Sequence, residues 1–228
     1  MNEERNGATL AGAARWLSVH DDLLRGLTHA LSNRVGTISA ASYLLDQQPS
    51  SPGEIGATLL AESERLETLL QLMRMLPYPE GAVAEPVIPT DATTNAVALQ
   101  SHHNELREIP VTVTLDGDVQ PAYVNPAALT LAVAVAIGAA QRAAGSGGRV
   151  ELVVSSSADT VSIDARAVRA NRAVAIIDND ADNDAARDIE AITWLLAPYR
   201  GYGDAANEGM AAIVPTLQAA RRARQTGG

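Results

Sequence analysis

Apolar residues between positions 18 and 47 recur at alternating intervals of three and four. The recurring positions are Leu24, Leu27, Leu31, Val35, Ile38 and Leu45, with the small Ser42 in the remaining slot. This spacing predicts a long amphipathic helix over about 19–47. Ser18 is the candidate N-cap because Asp21 and Asp22 follow it in the first turns, and the sequence QQPSSP ends the helix.

A second helix is predicted from Ser51 or Pro52 to Leu76, where Pro77 and Pro79 end it. Its apolar stripe consists of Ile55, Leu59, Leu66, Leu69, Met73 and Leu76, with Glu62 as the polar member. Two long helices joined by about four residues form an antiparallel hairpin. A single hairpin with stripes this wide leaves apolar surface in water, so we expect two copies to pair as a homodimeric four-helix bundle.

The remaining pattern divides the chain into four parts. Residues 1–17 predict a polar tail or short helix, residues 18–77 the hairpin domain, and the proline-rich residues 78–90 an ordered linker. Over 91–228, helices and strands alternate in an order that predicts an α/β sandwich with a mixed sheet covered by helices on one face. The predicted helices are 91–107, 127–144 and 185–196; the predicted strands are 111–115, 123–124, 149–155, 160–164, 173–177 and 210–215; and 216–224 is an arginine-rich tail. The fold class is therefore α+β.

Composition excludes several kinds of chemistry. The 228 residues carry a net charge of −10, which disfavours nucleic acid or a bilayer as the main partner. All 17 basic residues are arginines, and Cys and Lys are absent, so the chain has no disulfide, thiolate metal site or Schiff-base lysine. Residues 1–17 lack the basic start and unbroken apolar run of an export signal, which favours a soluble cytoplasmic protein.

His29 is the candidate reactive residue. At about 100° per residue it lies roughly 160° from the apolar seam of the first helix and therefore faces solvent. Asp22, Gly26, Asn33 and Gly36 share this outer face. An exposed imidazole in the middle of a helix suits a phosphoryl acceptor, because it is nucleophilic and open to in-line approach. The alternative is an ordinary surface histidine.

The residues around His29 resemble a known motif. The string from Thr28 to Ile38 is similar to the H-box of bacterial sensor histidine kinases, and 62–66 resembles the second helix of their dimerisation and phosphotransfer domain. Residues 91–217 resemble their ATP-binding domain in element order, with Asn125-Pro126 before a long helix and GSGG before a strand. The resemblance implies a histidine-kinase ATPase-like α/β sandwich.

Several positions depart from the kinase pattern. Ala30 stands where those kinases usually carry the acidic residue that acts as base in autophosphorylation, whereas Asn33 keeps the polar residue that positions water for phosphatase chemistry. Gly138 stands where an Asn ligand for Mg²⁺ is expected. The segments 164–166 and 178–182, which would replace the glycine-rich nucleotide loops, contain no glycine. The chain is therefore expected not to bind ATP productively.

This combination resembles the bacterial histidine phosphotransferases whose ATP domain has degenerated. The resemblance implies that His29 relays a phosphoryl group to or from response-regulator receiver domains, that Asn33 orients water or phosphoryl oxygens, and that Mg²⁺ is held by the receiver and not by this chain. The expected receiver-docking residues are Asp22, Gly26, Ser32 and Gly36. Because Ala30 cannot accept a proton, a non-catalytic kinase relative that binds or dephosphorylates a receiver remains the alternative.

Three other features predict no site of their own. The alternating Asp178, Asp180, Asp182 and Asp184 lack the glycine and the final ligand of a calcium loop and are interpreted as a solvated acidic loop. His20, His102 and His103 are interpreted as surface residues. A G-x-S-x-G elbow does not occur, which disfavours a serine hydrolase.

Overall fold

The structure, a computed structural model, describes residues 2–47, 52–77, 83–170, 179–206 and 209–226. Within these ranges the helices are α1 (Asn2–Gln47), α2 (Pro52–Met75), α3 (Pro89–Gln100), α4 (Pro126–Ala144), α5 (Asn179–Leu196) and α6 (Leu217–Thr226). The strands are β1 (Glu85–Val87), β2 (Val111–Asp116), β3 (Ala122–Val124), β4 (Arg149–Ser156), β5 (Thr160–Val168), β6 (Tyr202–Ala206) and β7 (Gly209–Pro215).

The helical hairpin is present, but its first helix is longer than predicted. Helix α1 ends at Gln47 and α2 starts at Pro52, as the sequence indicates. At the other end α1 begins at Asn2, so Ser18 lies inside the helix and the predicted N-cap is wrong. The boundary placed between residues 17 and 18 also falls inside α1. The extension is stabilised by a buried stripe at Trp16, Val19 and Leu23, which continues the helical period towards the N-terminus.

Helix α1 has different partners along its length. Over 46 residues it is about 69 Å long. Its earlier part lies against α5, where Gly12 allows a close approach: a Cβ at this position would meet the Glu190 carbonyl oxygen at 2.5 Å. Its later part pairs with α2, and Arg34 of α1 bonds to Glu62 of α2. One helix therefore joins the hairpin to the α/β unit.

The large sheet has the strand order β2-β4-β5-β7-β6. Strand β2 runs parallel to β4 and the other neighbours are antiparallel, so the sheet is mixed. Alternate side chains of the central strands are buried under α4 and α5: Val150, Leu152 and Val154 of β4, Val161, Ile163 and Ala165 of β5, and Met210, Ala212 and Val214 of β7. The fold is thus α+β, a helical hairpin followed by a mixed sheet covered by helices on one face, which confirms the predicted class.

Helix α4 is the core helix of this unit. Asn125 caps it by accepting a hydrogen bond from the backbone N–H of Ala128 at 3.0 Å, and Gly145 ends it with a φ of +67°. The helix is long and apolar enough to cross a membrane by length and composition alone, but 83% of its most apolar window is buried inside the protein. Its hydrophobicity is therefore that of a core element.

The two strands predicted around the Asp-Gly turn do not form a hairpin. Asp116 and Gly117 end β2, and Gly117 has a φ of +78°, yet β2 pairs with β4 whereas β3 pairs with β1. Strand β1 lies within the predicted 78–90 linker, whose residues 78–82 are outside the described part of the chain. The end of that linker therefore belongs to the α/β unit.

The remaining differences are at element ends. Helix α3 stops at Gln100, earlier than the predicted 107, and the predicted 216–224 tail is helix α6. Strand β6 was not predicted, because its YGDAA sequence has neither an apolar alternation nor β-branched residues. The strand predicted at 173–177 lies outside the described residues.

Candidate functional site

His29 is exposed near the middle of α1, as its position on the helical wheel predicts. One turn further on, the Asn33 amide nitrogen lies 3.4 Å from His29 Nε2, so the two side chains share a face and contact each other. An open depression of about 470 Å³ lies beside the ring. It is lined by Asp21, Leu24, Arg25, Thr28, His29 and Ser32.

The residues predicted to dock a receiver do not form one exposed surface. Ser32 and Gly36 are exposed and Asp22 is half-buried. Gly26 is buried, and a Cβ on it would lie 1.9 Å from the carbonyl oxygen of His102, so this position is an internal helix-to-loop contact. The prediction for Gly26 is therefore wrong, because the segment after α3 covers that side of α1.

The segment after α3 also changes the interpretation of the adjacent histidines. His103 is 9% exposed, and its Nδ1 accepts hydrogen bonds from the backbone N–H groups of Glu105 and Leu106 at 3.2 and 3.3 Å. His102 is half-buried. The prediction that both are surface residues is wrong for His103, which acts as the cap of the 104–106 turn.

Burial lowers the pKa of the His103 imidazole below its ordinary value; Arg142 lowers it further, and Asp22 and Glu105 oppose the shift. Burial likewise lowers the pKa of His102, with a contribution from the charge of Arg34. Since Nδ1 of His103 accepts two hydrogen bonds, the neutral ring is the form that fits this site. His103 is thus held in the neutral form.

The polar member of the α2 stripe, Glu62, pairs with α1. Its carboxylate is 4% exposed and accepts hydrogen bonds from Arg34 at 3.2 Å and from Arg65. Desolvation acts to raise the pKa of this carboxyl group, but the hydrogen bonds from Arg65 and Arg34 outweigh it and lower the pKa. A paired charge at one level of an apolar seam favours the register in which the two helices bring these groups together.

The face of α4 that would carry an Mg²⁺ ligand is closed by side chains. Gly138 is where the kinase pattern places an asparagine, and the Gln100 amide nitrogen lies 2.9 Å from the position of a Cβ there. Gln100 is 1% exposed, and its amide donates to the Ala134 carbonyl at 2.6 Å. One turn later, the Gln141 amide donates to the carbonyls of Leu106 and Ile109. The side chain of Gln100 therefore fills the space that Gly138 leaves open.

The other segments considered for nucleotide binding form regular structure. Asp164 and Arg166 lie within β5, where both pair with β4 and β7 and the ladder to β4 continues to Val168. Asp178 is outside the described residues. Asp180, Asp182 and Asp184 belong to the backbone of α5, so the predicted acidic loop is the first part of a helix. Among the described residues, no group of three or more His, Asp or Glu side chains is arranged to hold a metal ion.

A buried carboxylate joins three helices at the base of the hairpin. Asp188 of α5, with its side chain 2% exposed, bonds to Arg15 of α1 and to Arg142 of α4, each at 2.6 Å. Burial acts to lower the pKa of Arg15, but the bond to Asp188 outweighs this and raises it. The hairpin is therefore fastened to the α/β unit by charge-assisted hydrogen bonds as well as by apolar packing.

Sequence reasoning did not identify Gln100 or Asp188. Gln100 has a weak signal, a glutamine at the end of a helix whose other face is apolar, but its partner Gly138 is 38 positions away. Asp188 is one acid among several in an acidic segment. Its i−3 and i+4 neighbours, Ala185 and Ile192, belong to the apolar stripe of α5, and this is the signal that places it on the buried face.

No protein-family model matches the sequence, and no curated protein matches it. Solved structures similar to this chain include the histidine kinase AdeS of Acinetobacter baumannii, with a TM-score of 0.44 and 12% identity over 83% of this chain and 98% of that one. A histidine kinase of Burkholderia phymatum has a TM-score of 0.44 and 15% identity over 90% and 96% of the two chains. A bacterial phosphotransferase has a TM-score of 0.39 and 14% identity over 86% and 95%.

Proposed function

We propose that this chain is a histidine phosphotransfer protein of two-component signalling, in which His29 carries a phosphoryl group to or from response-regulator receiver domains. The observation that carries the proposal is the exposed imidazole of His29 near the middle of α1, with the Asn33 amide 3.4 Å from Nε2. An amide donor beside Nε2 favours the tautomer with the proton on Nδ1. In that tautomer the Nε2 lone pair accepts from Asn33, and it becomes the nucleophile when the amide turns from Nε2 to the incoming phosphoryl oxygens.

The transfer needs little from this chain beyond a positioned imidazole. Nε2 attacks phosphorus of the receiver's aspartyl phosphate, the N–P bond forms, and the P–O bond to the aspartate breaks so that its carboxylate leaves with the electron pair. The ring keeps its Nδ1 proton and is positively charged until that proton passes to solvent. The receiver holds the Mg²⁺ that neutralises the phosphoryl oxygens, and Asn33 donates to those oxygens or to water.

The relay proceeds without ATP in this proposal. The support is the buried Gln100 side chain, which occupies the space beside Gly138 and bonds to the Ala134 carbonyl. A nucleotide phosphate or its Mg²⁺ would have to displace that side chain. We expect calorimetry with an ATP analogue and Mg²⁺ to show no saturable binding at micromolar concentrations, and saturable binding would revive autokinase activity.

The working form is proposed to be a homodimer. The hairpin leaves large apolar side chains exposed on both of its helices: Val35, Tyr43, Leu44, Leu45, Leu60 and Leu70. An apolar surface along two adjacent helices is stable in water when it is covered by a second copy in a four-helix bundle. Analytical ultracentrifugation should give twice the chain mass, and Val35→Asp, which places a charge in that surface, should give the single-chain mass.

A receiver-binding adaptor or phosphatase is the second candidate, and Ala30 favours it. Where an acidic neighbour would accept a proton from the imidazole, Ala30 accepts none, which slows a relay but leaves receiver binding intact. Asn33 can still orient a water molecule towards the receiver's phosphate. In that role His29 is never phosphorylated.

The two functions differ in one product. A panel of receiver domains, each phosphorylated with acetyl phosphate and separated from the donor, is incubated with the wild-type chain and with His29→Ala. The relay predicts an acid-labile, base-stable phosphate on the wild type and none on His29→Ala. Loss of receiver phosphate without label on this chain, or complex formation with no transfer, supports the adaptor or phosphatase and contradicts the relay.

A further inference from the structure

Arg25 lies one helical turn before His29 on the same face of α1, because residues four apart on a helix are surface neighbours. Both side chains line the open depression of about 470 Å³. Asn33 lies one turn beyond His29, at 3.4 Å. His29 is therefore flanked along the helix by Asn33 one turn after it and by Arg25 one turn before it, whose guanidinium pairs with Asp21.

The guanidinium of Arg25 is only loosely held. Its nearest carboxylate is that of Asp21 at 3.7 Å, and the two side chains are 68% and 72% exposed. An ion pair of this length and exposure contributes little stability and exchanges readily. By contrast, Arg15 and Arg34 on the same helix bond to the buried carboxylates of Asp188 and Glu62. Arg25 can leave Asp21 at little cost.

We propose that Arg25 binds the phosphoryl group while it is on His29, exchanging Asp21 for the phosphoryl oxygens. This inference rests on the proposed function. Phosphorylation of Nε2 places an oxyanion with nearly two negative charges over the depression, and a guanidinium one turn away can donate two parallel N–H hydrogen bonds to it. The same contact stabilises charge on the phosphoryl oxygens during transfer.

Arg25 also supplies the ionic group near His29 that Ala30 cannot supply. Since residue 30 neither accepts a proton nor carries a charge, the imidazole lacks an ionic neighbour at the next residue along the helix. Arg25 supplies an ionic group from the preceding turn, and it acts on the phosphoryl group instead of on the ring. Arg25 therefore favours the phosphorylated state of His29 directly.

The test uses a small donor so that receiver docking does not contribute. The full chain is incubated with phosphoramidate, whose P–N bond breaks with release of ammonia as the bond to His29 forms. Labelling at His29 is followed by mass spectrometry at low and high salt for the wild type, Arg25→Gln and Arg25→Lys. Arg74→Gln, which removes another exposed arginine near the end of α2, is the matched control. A parallel series uses a phosphorylated receiver.

We expect Arg25→Gln to label His29 roughly tenfold more slowly with both donors and to lose the phosphate faster. Arg25→Lys should recover part of the labelling rate, since lysine keeps the positive charge but lacks the two parallel N–H donors of the guanidinium. The wild-type rate should fall with salt more steeply than that of Arg25→Gln. Arg74→Gln should match the wild type.

The outcomes separate this inference from the function on which it rests. If the wild type is labelled at His29 by both donors and Arg25→Gln matches it in rate and salt dependence, Arg25 has no role and the relay stands. If Arg25→Gln is slow only with the receiver, Arg25 contacts the receiver and not the phosphoryl group, and the inference is wrong. If the wild type gains no label at His29 from either donor, both the inference and the proposed function fail.

Discussion

Gly26 and Gly36 lie ten positions apart on α1 and have opposite surroundings. A Cβ on Gly26 would meet the His102 carbonyl at 1.9 Å, whereas a Cβ on Gly36 would have no atom within 4 Å. The first glycine is required for the packing of the segment after α3 against the helix. The second only raises the conformational entropy of the unfolded chain.

We therefore expect alanine at the two positions to change stability in opposite directions. Gly26→Ala should lower the free energy of unfolding by about 1–3 kcal/mol, since backbone atoms must move to relieve the overlap. Gly36→Ala should raise it by about 0.5–1 kcal/mol. Urea unfolding of the two variants measures both, and equal effects would show that the segment does not pack on α1.

For single residues, the sequence predicts those features that depend only on the geometry of the residue's own helix. The exposure of His29 and its proximity to Asn33 follow from helical geometry alone, so both could be predicted. Whether a glycine on the same helix is free or covered depends on a segment more than 70 positions away, and no local pattern reports it. For the same reason Gln100 was not identified as the side chain that fills the space beside Gly138.

His103 should make stability depend on pH. Burial lowers its pKa in the folded chain, so the unfolded chain takes up the proton first as the pH falls. The contribution of His103 to the free energy of unfolding should thus be fully present above its unfolded pKa of about 6.5 and be lost as the pH falls below it. His102 acts in the same direction, because its pKa is also lowered.

His103→Asn tests this assignment, because the asparagine carboxamide oxygen can replace Nδ1 as the acceptor without titrating. Denaturant unfolding should show that the free energy of unfolding differs less between pH 7.5 and pH 5.5 in the variant than in the wild type. An unchanged difference in His103→Asn would show that this residue does not control the pH dependence.

At the scale of elements, the contact between α1, α4 and α5 depends on one carboxylate. Asp188 is 2% exposed and bonds to Arg15 and Arg142 at 2.6 Å. Removing its charge leaves two guanidinium groups without their shared partner in a largely dry site. We expect Asp188→Asn to cost about 3 kcal/mol of unfolding free energy.

Asp184→Asn is the matched control on the same helix, because Asp184 is 48% exposed and pairs with Arg187 at 3.6 Å. Its effect should stay within about 0.5 kcal/mol. Hydrogen exchange gives a local readout: in Asp188→Asn, amides of α1 before Leu27 should exchange faster while those of the β4–β5 ladder change less. If the amides of α1 exchange at the same rate in Asp188→Asn as in the wild type, Asp188 does not hold α1 against α4 and α5.

Elements in which apolar residues recur at a regular interval were predicted, and elements without such a recurrence were not. The ends of α1 and α2 at the hairpin turn, and the start of α4 at Pro126, follow from proline and capping residues. The start of α1 was misplaced because Ser18 followed by two aspartates has the composition of an N-cap. The stripe through Trp16 and Val19 overrides that local preference, since it buries against α5.

At the scale of the whole molecule, the hairpin and the α/β unit share one hydrophobic core. Buried residues of α1 and α2 belong to the same cluster as those of α4 and the central strands. His29 lies where α1 passes from this shared core to the free part of the hairpin. Beyond it, large apolar side chains of α1 are exposed at Val35, Tyr43, Leu44 and Leu45. The turn of α1 that carries the His29 imidazole therefore directly follows the part of the helix that is packed in the core.

In the proposed function, His29 accepts a phosphoryl group from a receiver without ATP. Tandem mass spectrometry under neutral, cold conditions locates the phosphate after incubation with a phosphorylated receiver. We expect phosphate on His29 and none on His20, His102 or His103. Phosphate on another residue, or a receiver that binds and loses its phosphate while His29 stays unmodified, would contradict it.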